Sequence, residues 1–244
     1  MLKDKVCIVT GAGKGIGKAI VLALAIEGAI VFALEHHSGD VYSWADEFPI
    51  DAKITAIQVD VTDEEDIRNA VFEIRKSFGK IDVLVNNAGI EYNERIGMIS
   101  NQHMEEMFRV NVFGMIGMLQ YCSRLMIRNQ GGSIINISSI VGEKGNPGQL
   151  VYSATKGAVI ALTKSAAKEL APFGVRVNSI APGVTKTEMI EKTDEEYLKK
   201  RISQICMGNM LEPQDIANAC VFLASDMSKF ISGQVIGVDG CTIM

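Results

Sequence analysis

This sequence has little to offer metal or disulfide chemistry. Its five cysteines, at positions 7, 122, 206, 220 and 241, are scattered and odd in number. None forms a C-x-x-C pair, so neither a zinc site nor a disulfide framework is expected. Cys7 falls in a strand pattern and Cys220 in a helix pattern, as core thiols do. A basic surplus is also missing. The formal net charge is −5, which argues against a nucleic-acid surface, because that needs clustered Lys and Arg. No run approaches the roughly 20 consecutive apolar residues of a membrane span. Met1-Leu2-Lys3-Asp4 leads straight into the first strand pattern, so no signal peptide is expected and a cytoplasmic location is. No Pro/Gly/Ser-rich linker or low-complexity block divides the 244 residues, so a single domain spanning 1–244 is expected. A hydrophobic content of 48% is enough for a large core.

Apolar strand-like runs recur at 6–10, 30–34, 54–58, 82–86, 133–138, 175–181 and 235–238. Helical patterns fill the gaps at 15–27, about 40–48, 64–78, 102–128, 152–171 and 213–224. Strands alternating with helices predict an α/β fold, a doubly wound seven-stranded parallel sheet with helices on both faces. Near-continuous apolar strands such as Ile81-Asp82-Val83-Leu84-Val85 fit a sheet buried on both sides. The acidic run Asp63-Glu64-Glu65-Asp66 reads as the first turn of a helix, where it complements the dipole.

Ligands bind at the carboxyl ends of the strands in such sheets. Thr10, Glu35, Asp60, Asn86 to Gly89, Ser139 and Pro182-Gly183 all follow strand patterns, so they should line one edge. The first strand ends in Thr10-Gly11-Ala12-Gly13-Lys14-Gly15-Ile16-Gly17, and a helical pattern follows. Strand, glycine turn and helix begin a dinucleotide-binding unit. The turn lets backbone approach a pyrophosphate at the helix N-terminus. The spacing here is G-x-x-x-G-x-G rather than the commoner G-x-G-x-x-G.

Tyr152 and Lys156 stand four residues apart and so share one helix face. A cation beside a phenol favours the phenolate, by about two to three pK units at close range. Taken alone, such a pair is usually a solvated surface contact.

Taken together, T-G-x-x-x-G-I-G at 10–17, Asn86-Asn87-Ala88-Gly89, Asn111, Ser139, Tyr152-x-x-x-Lys156 and Pro182-Gly183 resemble the short-chain dehydrogenase/reductase family. The resemblance covers essentially the whole chain. Acyl-carrier-protein reductases and bacterial hydroxysteroid dehydrogenases are the branches it is most similar to. It implies a nicotinamide oxidoreductase acting on a secondary alcohol or ketone. In that reading Tyr152 is the acid/base on the reacting oxygen, and Lys156 binds the nicotinamide ribose and depresses the tyrosine pKa. Ser139 hydrogen-bonds the substrate oxygen while Ser138 bonds locally. Asn111 holds a water that completes a proton relay.

For the cofactor, the resemblance implies contacts from Gly11, Gly13, Lys14, Gly15, Ile16, Gly17, Glu35, Asp60, Val61, Asn87, Ala88, Gly89, Tyr152, Lys156, Pro182, Gly183, Val184 and Thr187. A carboxylate at Glu35 accepts ribose hydroxyls and repels a 2′-phosphate, which points to NAD(H). Lys14, with His36 and His37 near Glu35, keeps NADP(H) possible. Without the family, Asp60 reads as a helix N-cap.

On the substrate side, Thr185 to Met210 is expected to form a lid. Thr187, Met189, Ile190, Tyr197, Leu198, Met207 and Met210 are its candidate lining residues, and Thr193 to Ile205 is charged and helix-prone. Acyl-carrier-protein reductases often carry basic residues where this chain has Gln130 and Phe173, which weakens that reading. Arg124, Arg128, Lys164 and Lys168 could compensate. A protein that senses nicotinamide without catalysis is a further alternative, opposed by the joint presence of Ser139, Tyr152 and Lys156. A small or steroid-like secondary alcohol or ketone is the expected substrate, with neither nucleic acid nor membrane as partner. Family members commonly form homotetramers through the two long helices. The second of these carries the small, apolar stretch Gly157 to Leu162.

Overall fold

The computed structural model describes residues 1–37, 39–44, 47–48, 51–188 and 195–243. Seven strands form one sheet: β1 (Val6–Thr10), β2 (Ile30–Glu35), β3 (Lys53–Gln58), β4 (Val83–Asn86), β5 (Gly132–Ile137), β6 (Val175–Pro182) and β7 (Val235–Val238). Their order is β3-β2-β1-β4-β5-β6-β7, and every pair is parallel. Chain order reverses between β1 and β4, which opens a crevice above their carboxyl ends.

Alternation along each strand divides the core. Cys7 and Val9 of β1, with Val31, Val85 and Ile135, pack on the face covered by α1 (Gly15–Ile26). Val6 and Ile8, with Phe32, Leu84 and Ile134, pack on the opposite face. There they meet α3 (Glu64–Phe78) through Ile67, Val71 and Ile74. Successive side chains of a strand point to opposite faces, so a sheet covered on both sides needs apolar residues at every position. All five residues of β1 are buried.

The helix ends follow local chemistry. Asp63 is the N-cap of α3 and accepts from the backbone N–H of Glu65 at 2.7 Å. Glu64, Glu65 and Asp66 fill its first turn, and Gly79 ends it in the left-handed region at φ 71°. The N-cap is therefore Asp63 and not Asp60. Asp60 instead accepts from the N–H and hydroxyl of Thr62, both at 2.8 Å. Of the helical pattern expected over about 40–48, the described residues include the short α2 (Gly39–Tyr42), and residues 45–46 lie outside them.

The long pattern expected over 102–128 is not one regular helix. It consists of α4 (Asn101–Phe108), a π-helical segment at Arg109–Gly114 and α5 (Met115–Arg128). The whole run has the length and mean hydropathy, 1.2, of a membrane-spanning helix. Half of its most apolar window is nevertheless buried inside the protein, where Met118, Cys122, Leu125 and Met126 join the core under the sheet. A core helix has that composition for the same reason a membrane helix does: both exclude water from their side chains.

The remaining α-helices among the described residues are α6 (Ile140–Lys144), α7 (Leu150–Leu170), α8 (Glu195–Ser203) and α9 (Pro213–Ala224). α9 packs beside α1 on the sheet. Its start is fixed by Pro213 in the first turn and by the Glu212 N–H donating to Asp215 at 2.9 Å.

Candidate active site

A cleft of about 950 Å³ lies at the carboxyl ends of the strands. Gly11, Lys14, Gly15, Ile16, Gly17, Glu35, Asp60, Val61, Asn87, Ala88, Gly89, Ser139, Tyr152, Lys156, Pro182, Gly183, Val184 and Thr187 all line it. Of the expected cofactor and catalytic residues, Gly13 and Asn111 stand outside this lining: Gly13 borders a neighbouring depression, and Asn111 is buried.

The glycine turn is shaped by close approach. A Cβ on Gly17 would run into the Gly11 carbonyl oxygen, and one on Gly11 would stand 2.8 Å from the Ala88 Cα. The turn is braced from three sides. Asn87 donates its amide to the Gly11 carbonyl at 2.8 Å. The Gly13 N–H donates to Glu35 Oε2 at 2.8 Å, and the Trp44 indole donates to the Gly13 carbonyl at 2.8 Å. Thr10 Oγ1 accepts from the N–H groups of Asn87 and Ala88 at 3.0 and 3.1 Å, which locks the loop after β4 onto β1.

Charge around the end of β2 is mainly negative. Glu35 keeps Gly13 and His36 as N–H donors. Burial works to raise the Asp60 pKa, but the hydrogen bonds from Thr62 and the nearby His36 outweigh it and leave the carboxyl below its usual value. The Lys14 ammonium lies 3.5 Å from Glu188 Oε2, a pair of exposed side chains.

The catalytic candidates converge from β5 and α7. Ser139 caps α6, accepting from the Val141 N–H at 3.3 Å, and its side chain acts to lower the Tyr152 pKa. Ser138, buried, turns the other way and donates to the Ile180 carbonyl at 2.9 Å. Lys156 is only 3% exposed. Its Nζ donates to the Ile137 carbonyl at 2.9 Å and stands 5.6 Å from the centre of the Tyr152 ring.

The expected lowering of the tyrosine pKa by this lysine is not met. Burial pushes Tyr152 up, Glu91 adds to the rise, and only the Ser139 side chain acts downward. Burial also pulls the Lys156 ammonium down, to about 8, while Glu91 opposes that fall. Desolvation of both groups outweighs their mutual influence.

Asn111 lies in the π-helical segment and is fully buried. Its Oδ1 accepts from the Ile90 N–H at 2.8 Å, and its Nδ2 donates to the Ile90 carbonyl at 2.9 Å and to Thr155 Oγ1 at 3.1 Å. Thr155 in turn donates to the Tyr152 carbonyl at 2.8 Å. Asn111 thereby joins the loop after β4 to the tyrosine turn of α7. A widened helical turn is a common way to re-aim one side chain at a functional site.

Sequence reasoning missed Trp44, Thr155, Glu91 and Gln149. Glu91 was legible as a carboxylate two residues beyond Gly89, but nothing local says which way it points. Of the lid candidates, Thr187 and Leu198 line the cleft, joined by Arg201 of α8. Met210 lines a neighbouring depression, and Met207 is 77% exposed and lines neither. Met189, Ile190, Thr193 and the Tyr197 side chain lie outside the described residues.

A family model described as enoyl-(acyl carrier protein) reductase matches residues 11–241. A 3-oxoacyl-[acyl-carrier-protein] reductase FabG of Thermotoga maritima is 41% identical over 240 residues, 98% of each chain. The FabG of Staphylococcus aureus is 40% identical over 243 residues, again 98% of each, and that of Aquifex aeolicus 39% identical over 241. The crystal structure of gox2181 shares the fold with a TM-score of 0.94 at 29% identity, covering 98% of this chain and 95% of that one. This chain belongs to the short-chain dehydrogenase/reductase family. It is an oxidoreductase that acts on CH–OH groups with a nicotinamide cofactor.

Proposed function

We propose that this single-domain protein interconverts a secondary alcohol and its ketone with NAD(H), using Ser139, Tyr152 and Lys156. The observation that carries the reading is the meeting of these three side chains at the end of β5, in a cleft whose other end is the glycine turn. The cradle fits a dinucleotide. Gly11 and Gly17 leave no room for side chains at the N-terminus of α1, where backbone N–H groups favour a pyrophosphate. Glu35 would take the adenosine ribose, and Asp60 with Val61 the adenine. Asn87 to Gly89 would pass along the nicotinamide ribose, and Pro182 to Val184 with Thr187 would hold the nicotinamide end. The bound nicotinamide supplies or accepts the hydride.

The chain's own groups manage the proton. Tyr152 donates it to the reacting oxygen during reduction and takes it back during oxidation. Ser139 holds that oxygen by a hydrogen bond that strengthens as negative charge develops. Lys156 binds the ribose and carries positive charge toward the phenol. Asn111 fixes the Ile90 backbone and the tyrosine turn, and it holds the relay water near Lys156.

NAD(H) is preferred in this reading. Glu35 and Asp60 place two carboxylates where a 2′-phosphate would sit, and Lys14 is already paired with Glu188.

The second reading is reduction of a 3-oxoacyl thioester, favoured by the activity for which the FabG relatives are named. Against it, Gln130 and Phe173 are uncharged. These positions are close in space, since a Cβ on Gly174 would lie 2.8 Å from the Gln130 carbonyl oxygen.

A homotetramer in the cytoplasm accompanies the proposal. Phe113, Ile116, Leu150 and Ala161 leave apolar surface along the π-helical segment, α5 and α7. Turnover of a panel of alcohols, ketones and an acetoacetyl thioester with each cofactor tests the function. No turnover of any secondary alcohol or ketone would refute the main reading.

A further inference from the structure

The loop after β4 places one more charged group in the cleft. Asn111 bonds both backbone groups of Ile90, at 2.8 and 2.9 Å. Three residues beyond Glu91, the Glu94 N–H donates to the Gly148 carbonyl at 2.8 Å. Glu91 is therefore held by its backbone on both sides.

Its side chain is held as well. Asn146 Nδ2 donates to Gln149 Oε1 at 2.7 Å, which orients the Gln149 amide. The Gln149 Nε2 then donates to Glu91 Oε1. Gln149 is 7% exposed, and it lines the cleft beside Glu91, Ser139 and Tyr152. No other hydrogen bond to the Glu91 carboxylate forms among the described residues. A fixed, partly buried carboxylate with free lone pairs is a strong acceptor awaiting a donor.

We propose that Glu91 is a specificity-determining residue that accepts a hydrogen bond from a hydroxyl next to the reacting carbon, and so selects vicinal diols and polyols. The inference rests on the alcohol/ketone reading above and narrows its substrate class. Oxygen chemistry decides between the candidates. A diol or hydroxyketone brings a donor to Glu91. A 3-oxoacyl thioester brings only carbonyl acceptors near its reacting carbon, and an acceptor facing the free lone pairs of a carboxylate is unfavourable. An amino alcohol also carries a donor, but the Lys156 ammonium already adds positive charge on this side of the cleft.

Turnover of 2,3-butanediol, 2-butanol, 1-amino-2-propanol and an acetoacetyl thioester is compared in the wild type, Glu91→Gln and Glu91→Ala. The wild type should favour the diol over the mono-alcohol. A hydrogen bond to a charged group corresponds to a factor of about 10 to 100, so the diol-to-mono-alcohol ratio of kcat/KM should fall by about that much in Glu91→Ala. Glu91→Gln, which keeps the shape and one acceptor, should fall between. Melting curves and NADH binding confirm that each variant is folded. An unchanged ratio in folded Glu91→Ala overturns the assignment. So does a wild type that favours the mono-alcohol, the amino alcohol or the thioester. If the wild type oxidises none of these alcohols and reduces no ketone, the underlying alcohol/ketone reading fails instead.

Discussion

At the scale of single residues, burial decides the chemistry of this site more than pairing does. Tyr152 and Lys156 are both pushed toward their neutral forms by the loss of water. Tyr152→Phe keeps the ring and removes the proton, so turnover should drop by about 10²–10⁴-fold while NADH binding, read by fluorescence titration, persists. Near-normal turnover in this variant would remove Tyr152 from the mechanism. Lys156 gives a stability prediction with a definite sign. Its folded pKa is about 8, against 10.5 for the free side chain. Between those values the unfolded chain holds a proton that the folded chain has lost, so stability rises with pH across that window. Below about 8 both states hold it, and the full cost of the buried charge is present. Lys156→Met should therefore raise the melting temperature at neutral pH, reflecting at most about 3 kcal/mol. Loss of the donor to the Ile137 carbonyl trims that gain. The difference should shrink as pH approaches 10.5; thermal melts of both proteins across pH 7–10 measure it.

At the scale of elements, the end of β2 and the glycine turn act as one unit. Glu35 braces Gly13 by a 2.8 Å hydrogen bond, so the carboxylate proposed to select the cofactor also shapes the glycine turn. Glu35→Gln keeps an acceptor for Gly13 and deletes the charge. The ratio of kcat/KM for NADH to that for NADPH should then narrow by about tenfold or more, as expected for a like-charge pair at close range. Steady-state kinetics with both cofactors decide the point, and a wild type that prefers NADPH would show that Lys14 and His36 outweigh Glu35. The π-helical segment makes a different point. The periodicity of residues 102–128 reads as one helix, because an apolar pattern does not register a single widened turn. Within that turn Asn111 bonds Ile90 and Thr155, partners far away along the chain.

For the whole molecule, the exposed apolar side chains point to assembly. Phe113 is 61% exposed and Leu150 49%, and both lie on or beside the long helices. Light scattering at micromolar concentration should report four times the 26.5 kDa chain mass; a monomer would refute the tetramer. Within the expected contact stretch, Val159 is fully buried while Ala161 is exposed. The stretch therefore serves the sheet with one side and leaves the other exposed.

The sequence by itself determined the alternation of strands and helices. The strand runs and the helix at 64–78 fell within a residue or so of their observed limits, because apolar period and caps such as Asp63 and Gly79 are local signals. It also determined which strand ends carry the cofactor and catalytic candidates, since the topology of a parallel sheet sends all of them to one edge. Tertiary structure alone decided the rest. It paired Glu91 with Gln149, set Trp44 under the glycine turn and tied Asn111 to the tyrosine turn. It also reversed the expected shift of Tyr152. Those outcomes depend on side-chain direction and on the water removed around each group, and no spacing along one chain encodes either.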